Sequence, residues 1–479
     1  MNTSKSVLSL SIFAMLLFLF SCNTDNEKSN KTVIKISFEE YEGVQAVIKS
    51  TSPFQIAGDT IKVNENGDII FEANIDKPEY FELNFVGGRP KITLYTRPGD
   101  SLLINAKGVG SFYQTIKFGG NAPIYNDYLL RSKNISDKLN QSLMSLMGQE
   151  EKAAMNSLDS ARALHADELA ALQKGNANID PYFIKIENSR AIYEWAILHR
   201  IYPDYYNYIH KLEGDNKVNL TPEFDTYLAE VDLNNEELVI LPIYLEFLQS
   251  YLRTDNGAFY EDENIQKEYV SYANYQMSII NSKIENSTIK SILAYKSVYD
   301  QVDYRGSTDK DLYWDAFTKT CTNDILVQNI TDKLAEWKHL DKGAPAKEIQ
   351  LVDMDGNAVT FEQFKGKWIY IDIWATWCSP CKAEIPVLKG LEEEFKGQDI
   401  VFMSISVDRE QQPWQQMVKD EELKGVQVWA GQNETIQNFY KVNGIPRFMI
   451  FDPQGNIYDA NATRPSMGAG DIIKDLLAK

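Results

Sequence analysis

The apolar residues of this 479-residue chain repeat with different periods in three successive stretches, and no single class of secondary structure accommodates all three. Across residues 32–120 the period is two. Val33, Ile34, Ile36 and Phe38 form one run, and 69–71, 81–85, 92–95 and 101–104 form others, punctuated by Gly, Asn and Pro. An all-β, sandwich-like domain is expected there. Across 121–340 the spacing becomes three and four, as in Tyr125, Tyr128, Leu129, Ile135, Leu139, Leu143 and Leu146, which predicts an α-helical domain. Asp180-Pro181 and Thr221-Pro222 each offer an N-cap followed by proline in the first turn, and Ser307 with Thr308 opens a further helix. After a Gly/Pro/Ala linker at 341–346, strand-like and helix-like runs alternate to the end, the mark of an α/β domain over 341–479. Within it the pattern predicts a leading hairpin at 349–359, strands at 368–374, 400–407 and 426–429, and a closing hairpin at 448–459. Helices are expected at 383–395, 411–422, 434–440 and 471–478.

Composition narrows the function. Sixty-eight acidic against 48 basic side chains leave a net charge of −20, which opposes contact with phosphate backbones, so no nucleic acid is expected as a partner. The aromatic residues of the helical stretch, such as Tyr193, Trp195, Tyr244 and Trp314, recur at helical spacing and read as packing between helices rather than as a ligand groove. At the N-terminus Lys5 precedes an apolar stretch, 7–20, that is short for a membrane span and right for a signal-peptide core. Leu19-Phe20-Ser21-Cys22 resembles a bacterial lipobox. That resemblance implies a lipoprotein signal peptide at 1–21, lipidation of Cys22, a polar tether over 22–31, and a place in the cell envelope facing the periplasm, anchored to the membrane by lipid. Thiols in such a compartment tend to pair unless something reduces them.

Against that background, four cysteines in the whole chain include two only three positions apart, Cys378 and Cys381, between a strand-like and a helix-like run. A cysteine attacks only as its thiolate, and an ordinary thiol with pKa near ~8.5 is only a few per cent ionised at neutral pH. At the mouth of a helix Cys378 would face unpaired N–H groups and the positive dipole end, enough to bring it towards about 7. Cys381, one turn further in, would be more shielded and within reach of the first sulfur, so Cys378 attacks and Cys381 resolves, leaving a Cys378–Cys381 disulfide. Pro380 suits the first helical turn, where a missing N–H costs nothing. Two other readings stay open at this level. A zinc half-site would need two more ligands and only Cys321, His339 and more distant histidines are on offer, and a purely structural disulfide is compatible with the compartment. Neither a metal nor a cofactor is expected. Cys321 reads as a buried, inert thiol.

The stretch "DIWATWCSPCK" resembles the active site of thioredoxin. "WCSPCKAEIPVL", with the leading hairpin and the insertion between Asp408 and Gly431, is similar to the TlpA/ResA branch of membrane-tethered thiol-disulfide oxidoreductases. The likeness spans about 343–479 and includes the later Gly444-Ile445-Pro446. It implies a cis peptide before Pro446, an Ile445 backbone that binds an extended substrate strand, and a Trp377 that shields the sulfurs beside Pro380. Asp372 matches thioredoxin's buried aspartate, which accepts the proton of Cys381, and Glu384 matches an acidic residue of the ResA branch. The preceding β-rich segment resembles the N-terminal domain of many Bacteroidetes lipoproteins. A peroxidase is disfavoured, because the peroxiredoxin Pro-xxx-Thr-xx-Cys context is lacking. The resemblance implies an extracytoplasmic dithiol that reduces disulfides of exported proteins, apocytochrome c among them, and is recharged by a membrane thiol donor. Reduction is favoured over oxidation or isomerisation because no histidine lies near the motif. The competing reading is a ligand-binding or scaffold lipoprotein in which the C-terminal domain docks or senses redox state.

Overall fold

A computed structural model describes residues 30–40, 44–55, 59–86, 90–253, 259, 262–269, 271–308 and 310–478. Cys22, the signal peptide at 1–21 and most of the tether lie outside the described residues. The chain divides into two compact units, one ending at residue 130 and the other formed by 131–479 with 51–56.

Among the described residues of the first unit, eight strands form two sheets: β1 (Lys31–Glu40), β2 (Gln45–Ser50), β3 (Asp59–Lys62), β4 (Asp68–Asn74), β5 (Glu79–Phe85), β6 (Lys91–Thr96), β7 (Ser101–Gly108) and β8 (Lys117–Gly120). Their orders are β4-β1-β7-β8 and β3-β2-β5-β6. The period of two does what it predicts: Ile34, Ile36 and Phe38 of β1 and Leu102, Ile104 and Ala106 of β7 turn inward, alternating with less buried residues. They meet Ile48, Phe81, Leu83 and Leu94 of the other sheet in one core, each large side chain worth roughly 1.5–3 kcal/mol of burial. The 97–100 turn closes with Asp100 N–H on the Arg97 carbonyl at 3.0 Å, and Gly99 takes the left-handed conformation there (φ 81°).

After a single helical turn at Phe112–Thr115, the first long helix is α1 (Pro123–Gln141), which crosses the division between the units. The second unit continues with α2 (Glu151–Gly175), α3 (Pro181–His210), α4 (Pro242–Leu252), α5 (Tyr272–Lys283), α6 (Ser287–Arg305), α7 (Lys310–Thr320) and α8 (Asp324–Trp337). Asp180 caps α3, accepting the Tyr182 N–H at 2.9 Å. The helix expected after Thr221-Pro222 is instead a 3-10 stretch, Phe224–Glu230, because the Thr221 side chain and N–H both turn away to Glu151. Among the described residues no helix is long and apolar enough to cross a membrane.

The segment 341–346 is no free linker. Gly343 N–H and Ile457 N–H exchange hydrogen bonds with Ile457 and Ala344 carbonyls, both at 2.8 Å, so the chain is laid along the closing hairpin before the sheet starts. That sheet contains β9 (Leu351–Val352), β10 (Ala358–Val359), β11 (Trp368–Trp374), β12 (Ile400–Ser406), β13 (Val426–Trp429), β14 (Arg447–Phe451) and β15 (Ile457–Asp459), in the order β10-β9-β13-β12-β11-β14-β15. Central β11 runs parallel to β12 and antiparallel to β14 and is buried from Ile369 onward, hence its unbroken apolar run. Three helices accompany the sheet: α9 (Ser379–Glu394), α10 (Gln411–Asp420) and α11 (Ala469–Leu477). The helix expected at 434–440 is a single π turn, Thr435–Phe439, and Lys441 just beyond it takes φ 52°.

Candidate active site

Strand β11 ends at Trp374, and a short turn, held by Cys378 N–H on the Ala375 carbonyl at 3.0 Å, delivers the chain to α9. Cys378 is itself the N-cap. Its Sγ accepts the Cys381 N–H at 3.2 Å, which is why the helix begins at Ser379 and not at 383, where the apolar stripe starts. Pro380 sits in the first turn, as its missing N–H allows. The two sulfurs are joined in a disulfide with Cα atoms 5.3 Å apart. A sulfur in this place receives a backbone N–H and the positive end of a four-turn helix, both of which favour a thiolate once the bond is reduced.

The surroundings of the pair are apolar. Trp374, Ala375, Trp414 and Val418 pack with both cysteines, and Met354, Trp429 and Ile445 close the cluster. The shield expected of Trp377 is therefore supplied by others. Trp377 lies beyond the last paired residue of β11 and is 68% exposed, while Trp414 on α10 is fully buried. The Ile445–Pro446 peptide is cis, and Ile445 belongs to the same cluster as the sulfurs.

Strand β11 carries Asp372 at its middle, opposite Ser404 of β12 and Phe448 of β14. Burial, reinforced by the nearby charges of Glu384 and Glu392, pushes its carboxyl up to about 8, and Oδ1 has no hydrogen-bond partner. Glu384 is buried too, one turn beyond Cys381. It accepts the Ser466 N–H at 3.0 Å and the Ser466 hydroxyl at 2.8 Å, so it is no solvated helix residue. The two carboxylates are thus held differently, one by hydrogen bonds and one by apolar enclosure.

Three participants escape a reading of the sequence. Asp408, just after β12, is buried and accepts the Thr376 N–H at 3.0 Å, the Thr376 hydroxyl at 2.7 Å and the Ser406 hydroxyl at 2.8 Å, tying the turn before Cys378 to the neighbouring strand. Its backbone carbonyl accepts Trp429 Nε1–H at 2.8 Å. Glu392 on α9 faces Asp372, and burial raises its carboxyl pKa. Arg447, directly after Pro446, is buried and its guanidinium donates to the carbonyls of Ala460 and Lys441. Cys321 is not brought to this site. It stands between α7 and α8, buried, with its thiol pKa raised by that burial. Among the described residues no group of three His, Cys, Asp or Glu side chains is placed to hold a metal ion.

Residues 342–460 match the AhpC/TSA family. Thiol-disulfide oxidoreductase ResA of Oceanobacillus iheyensis is 29% identical over 134 residues, which make up 28% of this chain and 69% of the relative. ResA of Bacillus cereus is 24% identical over 125 residues, 26% of this chain and 72% of that protein. Among solved structures, the thioredoxin domain of a thiol-disulfide oxidoreductase from Bacteroides vulgatus is 26% identical; the match covers 29% of this chain and 99% of that one, at a TM-score of 0.27.

Proposed function

Residues 342–460 belong to the AhpC/TSA family and form a thioredoxin-like domain of thiol-disulfide oxidoreductase type, and from that premise we propose that this chain reduces protein disulfides outside the cytoplasm through Cys378 and Cys381. The observation that carries the reading is the capping sulfur: Cys378 Sγ receives the Cys381 N–H at the mouth of α9, and buried Asp372 lies six residues before it on β11. In the reduced enzyme the Cys378 thiolate attacks one sulfur of a substrate disulfide and expels the other as thiolate. Cys381 gives its proton to Asp372, and its own thiolate then attacks Cys378 Sγ. The bond between Cys378 and the substrate breaks, its electron pair leaves with the substrate sulfur, and the Cys378–Cys381 disulfide remains. Two electrons pass to the substrate. A membrane thiol donor returns them.

Trp377, Pro380 and the Ile445–Pro446 segment form the rim on which the substrate strand lies, with exposed Trp377 offering an aromatic face to it. Glu384, fixed by Ser466, sets the local field under the helix. Reduction rather than oxidation fits the lack of a histidine within the motif; His339, the nearest in sequence, is engaged with the Phe439 carbonyl at 2.8 Å. Lipidation at Cys22 would hold the domain at the membrane, and exported proteins with disulfides, apocytochrome c included, are the substrate class. Insulin reduction with dithiothreitol as donor tests this. Wild type turns over and Cys378→Ser does not, while Cys381→Ser accumulates a mixed disulfide with its substrate. Equal inactivity of wild type and Cys378→Ser would favour a docking or scaffold role instead.

A further inference from the structure

Of three consecutive glutamates on α9, two behave as the sequence suggests: Glu393 pairs with Lys396 at 3.3 Å and Glu394 with Lys474 at 2.9 Å, both at the surface. Glu392 turns inward. It lines a narrow cleft together with Asp372, Trp374, Leu388, Ser404 and Gln427, with Lys389 and Lys424 beside its opening. Four polar atoms of that lining, Asp372 Oδ1, Trp374 Nε1, Glu392 Oε2 and Gln427 Oε1, are buried and have no hydrogen-bond partner among the described residues. Buried polar groups are nearly always satisfied, and with one of the two carboxyls protonated the four orphans on this cleft are two acceptors and two donors, the bonding capacity of a water molecule. The space is small, about what one water needs.

Gly425 makes the room. A Cβ there would come within 2.7 Å of Glu392 Oε1 and 2.7 Å of the Phe402 carbonyl, so the carboxylate fits only against a bare backbone. The lysines at the opening are committed elsewhere, Lys389 to the Glu421 carbonyl and Lys424 to Glu393 at 3.6 Å, which leaves the inner carboxylate without a salt bridge. Asp372 is faced by Glu384 and Glu392 from α9, by Ser404 of β12 and by Gln427 of β13, with the Tyr370 ring on its own strand. Glu384 is held by Ser466, so of the two acids beside Asp372 only Glu392 opens onto the cleft.

We propose that Glu392 is the outlet of the proton path of the cysteine pair: a water held by Asp372, Trp374, Glu392 and Gln427 carries the proton released by Cys381 from Asp372 to Glu392, which gives it to solvent between Lys389 and Lys424. The inference rests on the disulfide-reducing function proposed above. During substrate reduction Asp372 takes the Cys381 proton as that sulfur becomes the attacking thiolate. The water accepts the proton from Asp372 while giving one to Glu392, and Asp372 is again ionised for the next cycle. During recharging the same protons run inward and end on the departing Cys381 sulfur. Glu392 never touches sulfur; it is a positioning residue acting through Asp372. Burial holds the carboxyl pKa of both acids above the ordinary range, which narrows the cost of passing a proton between them.

The test is single-turnover oxidation of the full, reduced chain by excess disulfide, followed over pH 6–9. Glu392→Gln should slow formation of the internal disulfide about tenfold. Glu392→Asp, which keeps a carboxyl, should retain most of the rate. In an Asp372→Asn background, Glu392→Gln should cost nothing further. The proposal is overturned if Glu392→Gln oxidises at the wild-type rate, if Glu392→Asp is as slow as Glu392→Gln, or if the cost of Glu392→Gln adds in full to that of Asp372→Asn. An inactive wild type would instead sink the function on which the inference rests, which separates the two failures.

Discussion

Replacing Asp372 by Asn removes a carboxyl whose titration the fold moves far above its usual range. The ordinary value of 3.8 rises to about 8 because the group is enclosed between α9 and the sheet near two further acids. The protonated form is favoured in the folded state, so its contribution to stability is fully present below the ordinary value, declines as pH rises, and is gone above about pH 8. At ~1.4 kcal/mol per unit, wild type should lose about 4 kcal/mol between pH 5 and pH 9 from this residue alone. Asparagine does not titrate. The advantage of Asp372→Asn over wild type should therefore grow by about 4 kcal/mol across that interval, with most of the change between pH 5 and 8. Urea unfolding of the oxidised full chain, read by hydrogen-exchange pulse labelling of peptides from β11 and β14, isolates this part of the molecule. A difference that stays flat from pH 5 to pH 9 would refute the buried aspartate with a raised pKa.

Three further outcomes follow from contacts around the pair. Glu384→Ala strips the acceptor from both the N–H and the hydroxyl of Ser466 and should cost about 2–3 kcal/mol in the same urea experiment. Asp408→Ala leaves Thr376 and Ser406 without their shared acceptor; about 2–4 kcal/mol should be lost, and Cys378 in the reduced protein should become reactive towards larger alkylating reagents as the turn loosens. Trp377→Ala removes an exposed side chain, so stability should move by no more than about 0.5 kcal/mol, while KM for a protein disulfide rises and that for a small disulfide does not.

Much of the C-terminal architecture was legible because its central strands are buried on both faces and so read as short, mostly apolar runs. Strand β11 is the clearest case, from Trp368 to Trp374, and β13 and β15 are bounded as periodicity suggests. The helix after the cysteines was harder to bound. Its first turn, Ser-Pro-Cys-Lys, has no apolar stripe, and the true start is set by a sulfur acting as cap, a contact that residue type alone does not announce. Thr221-Pro222 shows the converse failure, since a good capping pair was diverted by Glu151, 70 residues away. Within the site, Asp372 and Glu384 were singled out by the resemblance of the motif to thioredoxin and to the ResA branch. Glu392 was not: it opens a run of three acids that looks solvated, and only the fold brings Gly425 and Gln427 over it. Asp408 was hidden similarly, its bond to Thr376 spanning 32 residues of chain.

The most direct test of the account is the pH dependence of alkylation of the reduced protein, with each cysteine resolved by peptide mass spectrometry. Cys378 should react first and with a midpoint near ~7, while Cys381 stays protected until the fold opens. A Cys378 that titrates like a free cysteine near ~8.5, or a Cys381 that reacts before it, would contradict the helix-mouth thiolate on which the proposed chemistry depends.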